Sequence, residues 1–414
     1  MDIRIPAGWT LAGLIAGLLL GMALHRTAGF GVIEQIAEPV GRIWLNALQM
    51  TIIPLVASLL VLGISQMAQA ASAGRVARRT LGWIFAVLVF GALSTCIFMP
   101  LLLDALPIPE GAAGFLMAGN GVVTGEVPGI GAFVTSLIAP NVIAAAAETS
   151  MLPLTVFFAV LALAIVRLPD GQRTTLIDLF RALANAMLVI IGWVLAAAPV
   201  GVFALAIGVA AAGGGGAFAT LAHYILTVSA MGALVLIGGY VVALVGGRLS
   251  PPAFVRAMLP AQAVALSTQS SLASLPAMLV SARRLEVREA TADFVLPLSV
   301  AIFRATSPAM NMAVAIYVAH LAGVSLDPLT LATGALVALI ISVGSVSLPG
   351  SISFVVSVGP IAIAMGVPVE PLALLVAVEM LPDIMRTIGN VTMDVAVTTA
   401  VDQGNDLSEE PVQP

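Results

Sequence analysis

The run from Glu379 to Asp394, EMLPDIMRTIGNVTMD, carries three carboxylates and one arginine in a chain with only 9% charged residues. At about 100° per residue, Glu379, Asp383, Arg386, Asn390 and Asp394 fall on one narrow stripe of a helix, and Met380, Leu381, Ile384, Met385 and Val391 cover the rest. A charge midway along a membrane-crossing helix costs roughly 2.5–3.5 kcal/mol, so such a group persists only against a partner, a cavity or a bound solute. A purely stabilising ion-pair cluster between helices is the bland reading. It leaves Thr387 and Asn390, on the same stripe, without a task, so the stripe reads as a solute site.

Positioning that stripe requires helices that cross a bilayer. Of 414 residues 60% are hydrophobic, and the mean hydropathy of +1.12 places the chain among polytopic membrane proteins. Apolar runs at about 7–24, 40–65, 81–103, 131–167 in broken pieces, 175–212 and 220–247 predict the first crossings. The first run lacks a convincing cleavage site and is closely followed by the next, so a retained span is expected rather than a secretory signal. All 16 basic residues are arginine. Arg4, Arg75, Arg78, Arg79, Arg167, Arg173, Arg248, Arg256, Arg283, Arg284 and Arg288 mark one face, and Asp104, Glu110, Glu126, the run 213–216 and Asp327 the other. The positive-inside tendency then puts the N-terminus, the 283–289 loop and the acidic tail from Asp402 in the cytoplasm, with the chain in the plasma (inner) membrane.

From Pro251 onward two long apolar segments are broken at their middles. The first holds Ser267, Ser270, Ser271, Ser274 and Pro276; the second holds Ser342, Ser345, Ser347, Pro349, Gly350 and Ser351. Backbone groups freed at membrane depth must be satisfied by protein, water or ligand, which predicts two re-entrant hairpins whose tips meet near the midplane. Each precedes one more span, about 292–320 and 367–401, so that two hairpin-plus-helix units form an inverted repeat. Serine-rich tips between helix ends suit a carboxylate or a cation, whereas a lone intramembrane serine is ordinary packing. Only Arg304 and Arg386 lie mid-span, facing Glu379, Asp383 and Asp394. The excess negative charge invites a cation, a proton or an ammonium group.

The same residues narrow the function classes. Scattered charge and a pI near 5.2 give no basic face for nucleic acid. The one cysteine, Cys96, and the separated His25, His223 and His320 suggest no redox centre, cofactor or metal site. An intramembrane carboxyl hydrolase needs two carboxyls sharing a water, but Asp383 and Asp394 lie about 16 Å apart along one helix. Glu379 and Asp383 are one turn apart, yet Arg386 lies beside them and no nucleophile converges. A channel or uncoupled facilitator is the more serious competitor.

Over nearly its whole length the chain resembles the dicarboxylate/amino acid:cation symporter family, which includes the glutamate transporters. The resemblance is carried by MTIIPLVASLLVLGI at 50–64, by 151–165, by the serine hairpin 267–276, by 342–350, and above all by Asp383-x-x-Arg386-Thr387-x-x-Asn390-x-x-x-Asp394. It implies an all-α membrane protein of eight transmembrane helices plus two re-entrant hairpins, assembled as a homotrimer, with a transport domain that moves like an elevator. In that scheme 1–79 and 105–212 are scaffold, 80–104 and 213–250 are helices of the transport domain, 251–402 is the substrate-binding core, and 403–414 is a cytoplasmic tail. The resemblance further implies that Arg386 grips a side-chain carboxylate and Asp383 the α-ammonium of an acidic amino acid. Thr387, Asn390, Ser270, Ser271 and the hairpin backbone around Ser347, Pro349 and Gly350 would complete the contacts. A guanidinium suits a carboxylate through two parallel hydrogen bonds, and an aspartate can neutralise an ammonium. Relatives that carry plain C4-dicarboxylates tend to lack the aspartate matched by Asp383.

Departures from the family pattern concern the cation. Counting without a gap from the serines puts Phe303-Arg304-Ala305-Thr306-Ser307 where relatives have Asn-Met-Asp-Gly-Thr. The Asn311-Met312 pair would require two inserted turns and is set aside. Val87, Leu88 and Ala301 stand where sodium-binding hydroxyls are expected, and only Asn390 and Asp394 survive from that set. The expectation is therefore sodium-independent transport of aspartate or glutamate, with the fixed guanidinium of Arg304 replacing a bound cation and any coupling carried by a proton on Glu379 or Asp394. The alternative is transport of a C4-dicarboxylate or another anion, sodium-coupled or uncoupled.

Overall fold

The computed structural model describes residues 7–24, 30–71, 74–109, 134–135, 137–213, 217–344 and 350–403. Among these residues all regular structure is helical. In chain order the helices are α1 (Ala7–Leu24), α2 (Phe30–Gln49), α3 (Ile52–Ala71), α4 (Arg75–Ala105), α5 (Val142–Ala147), α6 (Met151–Val166), α7 (Asp170–Ala196), α8 (Ala198–Gly213) and α9 (Ala217–Val245). They continue as α10 (Pro251–Thr268), α11 (Ser271–Arg284), α12 (Glu289–Ile302), α13 (Ser307–Leu321), α14 (Pro328–Gly344), α15 (Gly350–Ala364), α16 (Glu370–Leu375) and α17 (Met380–Gln403).

Four described stretches, Gln35–Ala71, Arg75–Ala105, Asp170–Ala196 and Phe218–Val245, are long and apolar enough to cross a membrane. Along α4 the exposed side chains include Phe85, Phe90, Leu93, Ile97, Phe98 and Leu101. An apolar surface of that extent on a spanning helix suits lipid rather than water, and the chain is an integral membrane protein.

Proline divides several runs that the hydropathy pattern joins. The 175–212 run is two helices, α7 and α8, because Pro199 in the first turn of α8 has no amide to continue the ladder of α7. The run at 40–65 is likewise divided between α2 and α3 at Thr51, whose hydroxyl donates to the Leu48 carbonyl at 2.8 Å. The expected span at 292–320 is broken into α12 and α13, with Phe303 extended at φ −114° and ψ 116° and Pro308 in the first turn of α13. The expected span at 367–401 is α16, a turn, and α17, with Pro382 in the first turn of α17. Proline is tolerated there because first-turn amides have no partner within the helix.

Packing follows small residues and all-round apolar faces. α1 lies close against α8, and a Cβ added at Gly17 would come within 2.5 Å of the Phe203 carbonyl oxygen. α2 joins this group, and the Trp44 indole donates to Val194 O of α7 at 2.8 Å. α10 and α11 pack on each other across a turn in which Gln269 takes a left-handed conformation (φ 50°) and Ser270 caps α11. α14 and α15 also pack on each other, while the tip between them, with Ser347 and Pro349, lies outside the described residues. Centrally, α13 is buried from Ser307 to Ala319 and α17 from Gly389 to Asp402, as expected of helices enclosed on all sides. α17 packs on α9, α10, α11, α12 and α4.

Candidate substrate and coupling site

The first turns of α17 meet α9 and the break between α12 and α13, and Arg386 stands at that junction. Its Nη2 donates to Glu379 Oε1 at 2.8 Å, its Nη1 to Asn311 Oδ1 at 2.9 Å, and its Nε lies 3.4 Å from Asp383 Oδ1. Each of its three nitrogens thus faces an acceptor, two through hydrogen bonds and Nε through an ion pair. Glu379 and Asp383 are 0% and 6% exposed and Arg386 5%, so this is a cluster removed from water. Glu379 is not on the α17 helix itself but in the turn preceding it. It nonetheless converges on Arg386, because the turn is closed by Asp383 N donating to Glu379 O at 3.0 Å. Its second oxygen accepts from the Tyr224 hydroxyl at 3.2 Å. Asn311 is held in turn by its own Nδ2, which donates to Ser307 Oγ at 2.9 Å.

One turn further, Asn390 ties α17 to the helix break. The amide and the hydroxyl of Thr306 both donate to Asn390 Oδ1 at 2.9 Å, and the hydroxyl also reaches Arg386 O at 3.2 Å. Gly389 makes this approach feasible, since a Cβ there would lie 2.6 Å from the Thr306 methyl. Thr387 turns its hydroxyl back to Asp383 O at 2.9 Å. Gln262 of α10 donates to the Thr392 hydroxyl at 2.9 Å and to the Tyr240 hydroxyl at 3.1 Å, fastening the α10–α11 pair to α17.

Asp394, two turns beyond Arg386, is treated differently. It is 0% exposed, and both of its carboxylate oxygens are enclosed without a hydrogen-bond partner. Arg304, half-buried in the α12–α13 break, has an enclosed Nη2 that is equally unpartnered. Arg304 lies within electrostatic range of Asp383, Asp394 and Arg386, but the ion pairs described in this region belong to Arg386. A buried ion without partners is costly unless a proton, water or ion completes it. Around it Val87 and Leu88 of α4 join Ile302, Phe303, Met393 and Val397 in one buried apolar cluster, and Ala301 is exposed. These side chains offer no oxygen to a hard cation, which needs several.

The serines of the hairpin are less directly connected. Ser270 Oγ accepts from Ala273 N at 3.2 Å as the cap of α11, and Ser271 Oγ is enclosed without a partner. Among the described residues neither hydroxyl bonds to the α17 side chains. Gly350 opens α15.

The ungapped count puts Phe303 to Ser307 in the motif's place within a continuous span; the structure breaks the span at these residues. Asn311, set aside as the motif's position, is not read from sequence as a site residue, yet it contacts Arg386 from α13, because one helical turn from Ser307 aims it at the same junction. Tyr224 was also not singled out by sequence. Its signal is faint: it is one of three tyrosines in the chain, on the same apolar run as His223.

The sodium:dicarboxylate symporter family description fits residues 7–403. A proton/glutamate-aspartate symporter of Escherichia coli (strain K12) is 27% identical over 401 residues, covering 94% of this chain and 91% of that protein. A proton/sodium-glutamate symport protein of Bacillus subtilis (strain 168) is 26% identical, covering 92% and 88%. A C4-dicarboxylate transport protein 1 of Pseudomonas paraeruginosa (strain DSM 24068 / PA7) is 27% identical, covering 94% and 86%. With the buried cluster on α17 and a match that runs from the first helix to the last, the chain belongs to the sodium:dicarboxylate symporter family and is a transporter, not an enzyme.

Proposed function

We propose that this protein is a secondary active transporter for acidic amino acids, aspartate or glutamate, that works without sodium and couples to protons. The observation that carries this reading is the grip of Glu379 on Arg386 at 2.8 Å in a site closed to water. A substrate carboxylate that takes the Arg386 fork must displace a carboxylate already there. The displaced Glu379, left without its arginine in a dry site, takes up a proton, so that anion binding and proton binding become one event. Asp383 then receives the α-ammonium, with Thr387, Asn390, Ser270, Ser271 and the Ser347–Gly350 backbone completing the site. Sodium independence is supported by the apolar Val87–Leu88–Phe303 packing, with Arg304 as a permanent charge beside Asp394.

The wider arrangement belongs to the same proposal. The close packing of α1 and α2 on α8, apart from α17 with α4 and α9, supports a scaffold (1–79, 105–212) and a transport domain (80–104, 213–402) moving as an elevator. The assembly is a homotrimer in the plasma membrane, with both termini cytoplasmic.

A second reading has one observation in its favour. Asp383 already pairs with Arg386 and lies in range of Arg304, so it has cations of its own and no need of an ammonium. Under that reading the substrate is a C4-dicarboxylate held between two arginines. Uptake of labelled aspartate and of labelled succinate into liposomes, with all sodium replaced by choline and the inside alkaline, decides between them. The proposal expects sodium-free accumulation of aspartate; preference for succinate supports the second reading, and collapse of both uptakes in choline contradicts sodium independence.

A further inference from the structure

A proton bound for Glu379 has to reach a carboxyl that is 0% exposed. The ends of α4, α9 and α13 come together on one side of it and supply a chain of groups that can donate and accept. Tyr224 of α9 donates its hydroxyl hydrogen to Glu379 Oε2 at 3.2 Å. The ring of Tyr224 meets that of Tyr317 on α13 edge to face, with centroids 5.4 Å apart and planes at 75°. Tyr317 Oη lies 3.2 Å from His223 Nδ1 and 3.3 Å from the Thr220 carbonyl oxygen. His223 Nε2 lies 2.9 Å from the Leu106 carbonyl oxygen just past the end of α4. His223 is half-buried and Leu106 is 53% exposed, so the chain runs from the enclosed carboxyl to the molecular surface.

The hydrogen bonds fix the tautomer. A carbonyl oxygen only accepts, so Nε2 carries hydrogen in both protonation states and Nδ1 is the nitrogen that gains and loses a proton. We infer that His223, Tyr317 and Tyr224 form the proton route between Glu379 and the face bearing Asp104 and Asp327, an inference that rests on the proton-coupled reading above. Starting from doubly protonated His223, Nδ1 gives its proton to the Tyr317 oxygen. Tyr317 passes its own hydroxyl proton, turned away from Thr220 O, to the Tyr224 oxygen, and Tyr224 passes its proton to Glu379 Oε2. One N–H bond is lost on His223, one O–H bond is gained on Glu379, and each phenol ends with the single hydrogen it began with. The rings of the two phenols meet edge to face, and the inferred step between their hydroxyls is carried by a bridging water.

The other charged groups on the packed elements are few. Arg386 and Asp383 face Glu379 from α17. Asp104 lies two residues before Leu106 at the end of α4, and His320 one turn beyond Tyr317 on α13. Arg256 of α10 is at the opposite end of α9, by the Phe254–Tyr240 contact, and the described parts of α14 and α15 carry no ionisable residue.

The test compares a rate with an equilibrium in the full-length protein. The rate is net uptake of labelled aspartate into liposomes driven by an imposed pH gradient; the equilibrium is aspartate binding by the purified protein, whose endpoint does not depend on how fast the proton arrives. Tyr317→Phe keeps the ring and removes the hydroxyl; His223→Gln keeps a polar side chain and removes the imidazole. Both are expected to slow gradient-driven uptake by about tenfold or more, while binding affinity stays within about twofold and so certifies folding and substrate binding. Variants that leave uptake unchanged, or that weaken binding as much as uptake, overturn the relay while leaving proton coupling intact. A wild-type protein whose uptake ignores the pH gradient overturns the coupled reading itself, and the relay with it.

Discussion

Arg386 and Arg304 are the two arginines set into the middle of this molecule, and their surroundings are opposites. Arg386 is occupied at each of its nitrogens, by hydrogen bonds to Glu379 and Asn311 at 2.8 and 2.9 Å and by an ion pair with Asp383 at 3.4 Å. Arg304 has an enclosed nitrogen with no partner, near an Asp394 whose two oxygens also have none. A saturated guanidinium accepts a new anion only by exchange, so its occupancy can be linked to a second event. An unsaturated one acts on its neighbours as a fixed field, and nothing has to leave for it to do so. The difference assigns exchangeable chemistry to the start of α17 and constant charge to the helix break.

The largest way to break this contrast is to remove the saturated arginine. Arg386→Ala leaves two buried carboxylates unpaired, so uptake is expected to fall by about 100-fold or more and stability by about 3–5 kcal/mol. Arg386→Lys should restore much of the stability, read as the melting temperature in detergent, but not the affinity, because an ammonium lacks the two-pronged fork. Glu379→Gln is the next step and gives the opposite sign. With the competitor gone, aspartate should bind about tenfold more tightly at alkaline pH, a gain of about 1.4 kcal/mol, while accumulation driven by a pH gradient is lost. Equilibrium binding at two pH values reads the first and liposome uptake the second.

The unsaturated pair gives a smaller effect. Arg304→Gln and Asp394→Asn should each destabilise alone, and the double variant should recover about 1 kcal/mol relative to their sum. Additive losses in thermal melts would separate the two residues and remove the fixed-field account. The smallest effect lies outside the membrane-spanning segments. Asp327 caps α14, accepting from the Leu329 and Thr330 amides at 2.8 and 3.1 Å and from the Thr330 hydroxyl at 2.8 Å. Partial burial pushes its carboxyl up, but the Thr330 hydroxyl and these amides outweigh that and hold it below the usual carboxylate range. Because the folded value is the lower one, the cap's contribution is present at neutral pH and is lost as pH falls through that value. Asp327→Ala should cost about 1 kcal/mol at neutral pH in thermal melts, with the difference from wild type vanishing in acid and uptake unchanged.

The α17 stripe could be read from the sequence because isolated charges in an apolar chain stand out and helical spacing aligns them. The break at Phe303 to Thr306 was not legible: counting from the serine hairpin marks these residues as a departure from the family motif, but inside a span expected to be continuous. Helix boundaries inside apolar runs were not: hydropathy is blind to the turns at Thr51, Ala197 and 376–379, where a single proline decides the local geometry. Asn311 was hidden for another reason. Its role depends on the first turns of α13 coming within reach of the Arg386 side chain, a tertiary fact with no local pattern, and the same holds for Tyr224 on α9 and Glu379. Paired residues that are distant in the chain carry no spacing to read.

Whether substrate and proton replace one another at Arg386 is tested most directly by the pH change of a weakly buffered solution of the purified protein on adding aspartate without sodium. Wild type should withdraw about one proton from solution per aspartate bound, and Glu379→Gln should bind aspartate and withdraw none. Binding by the wild type with no proton uptake, or equal uptake by the variant, would contradict the hand-over between Glu379 and the substrate.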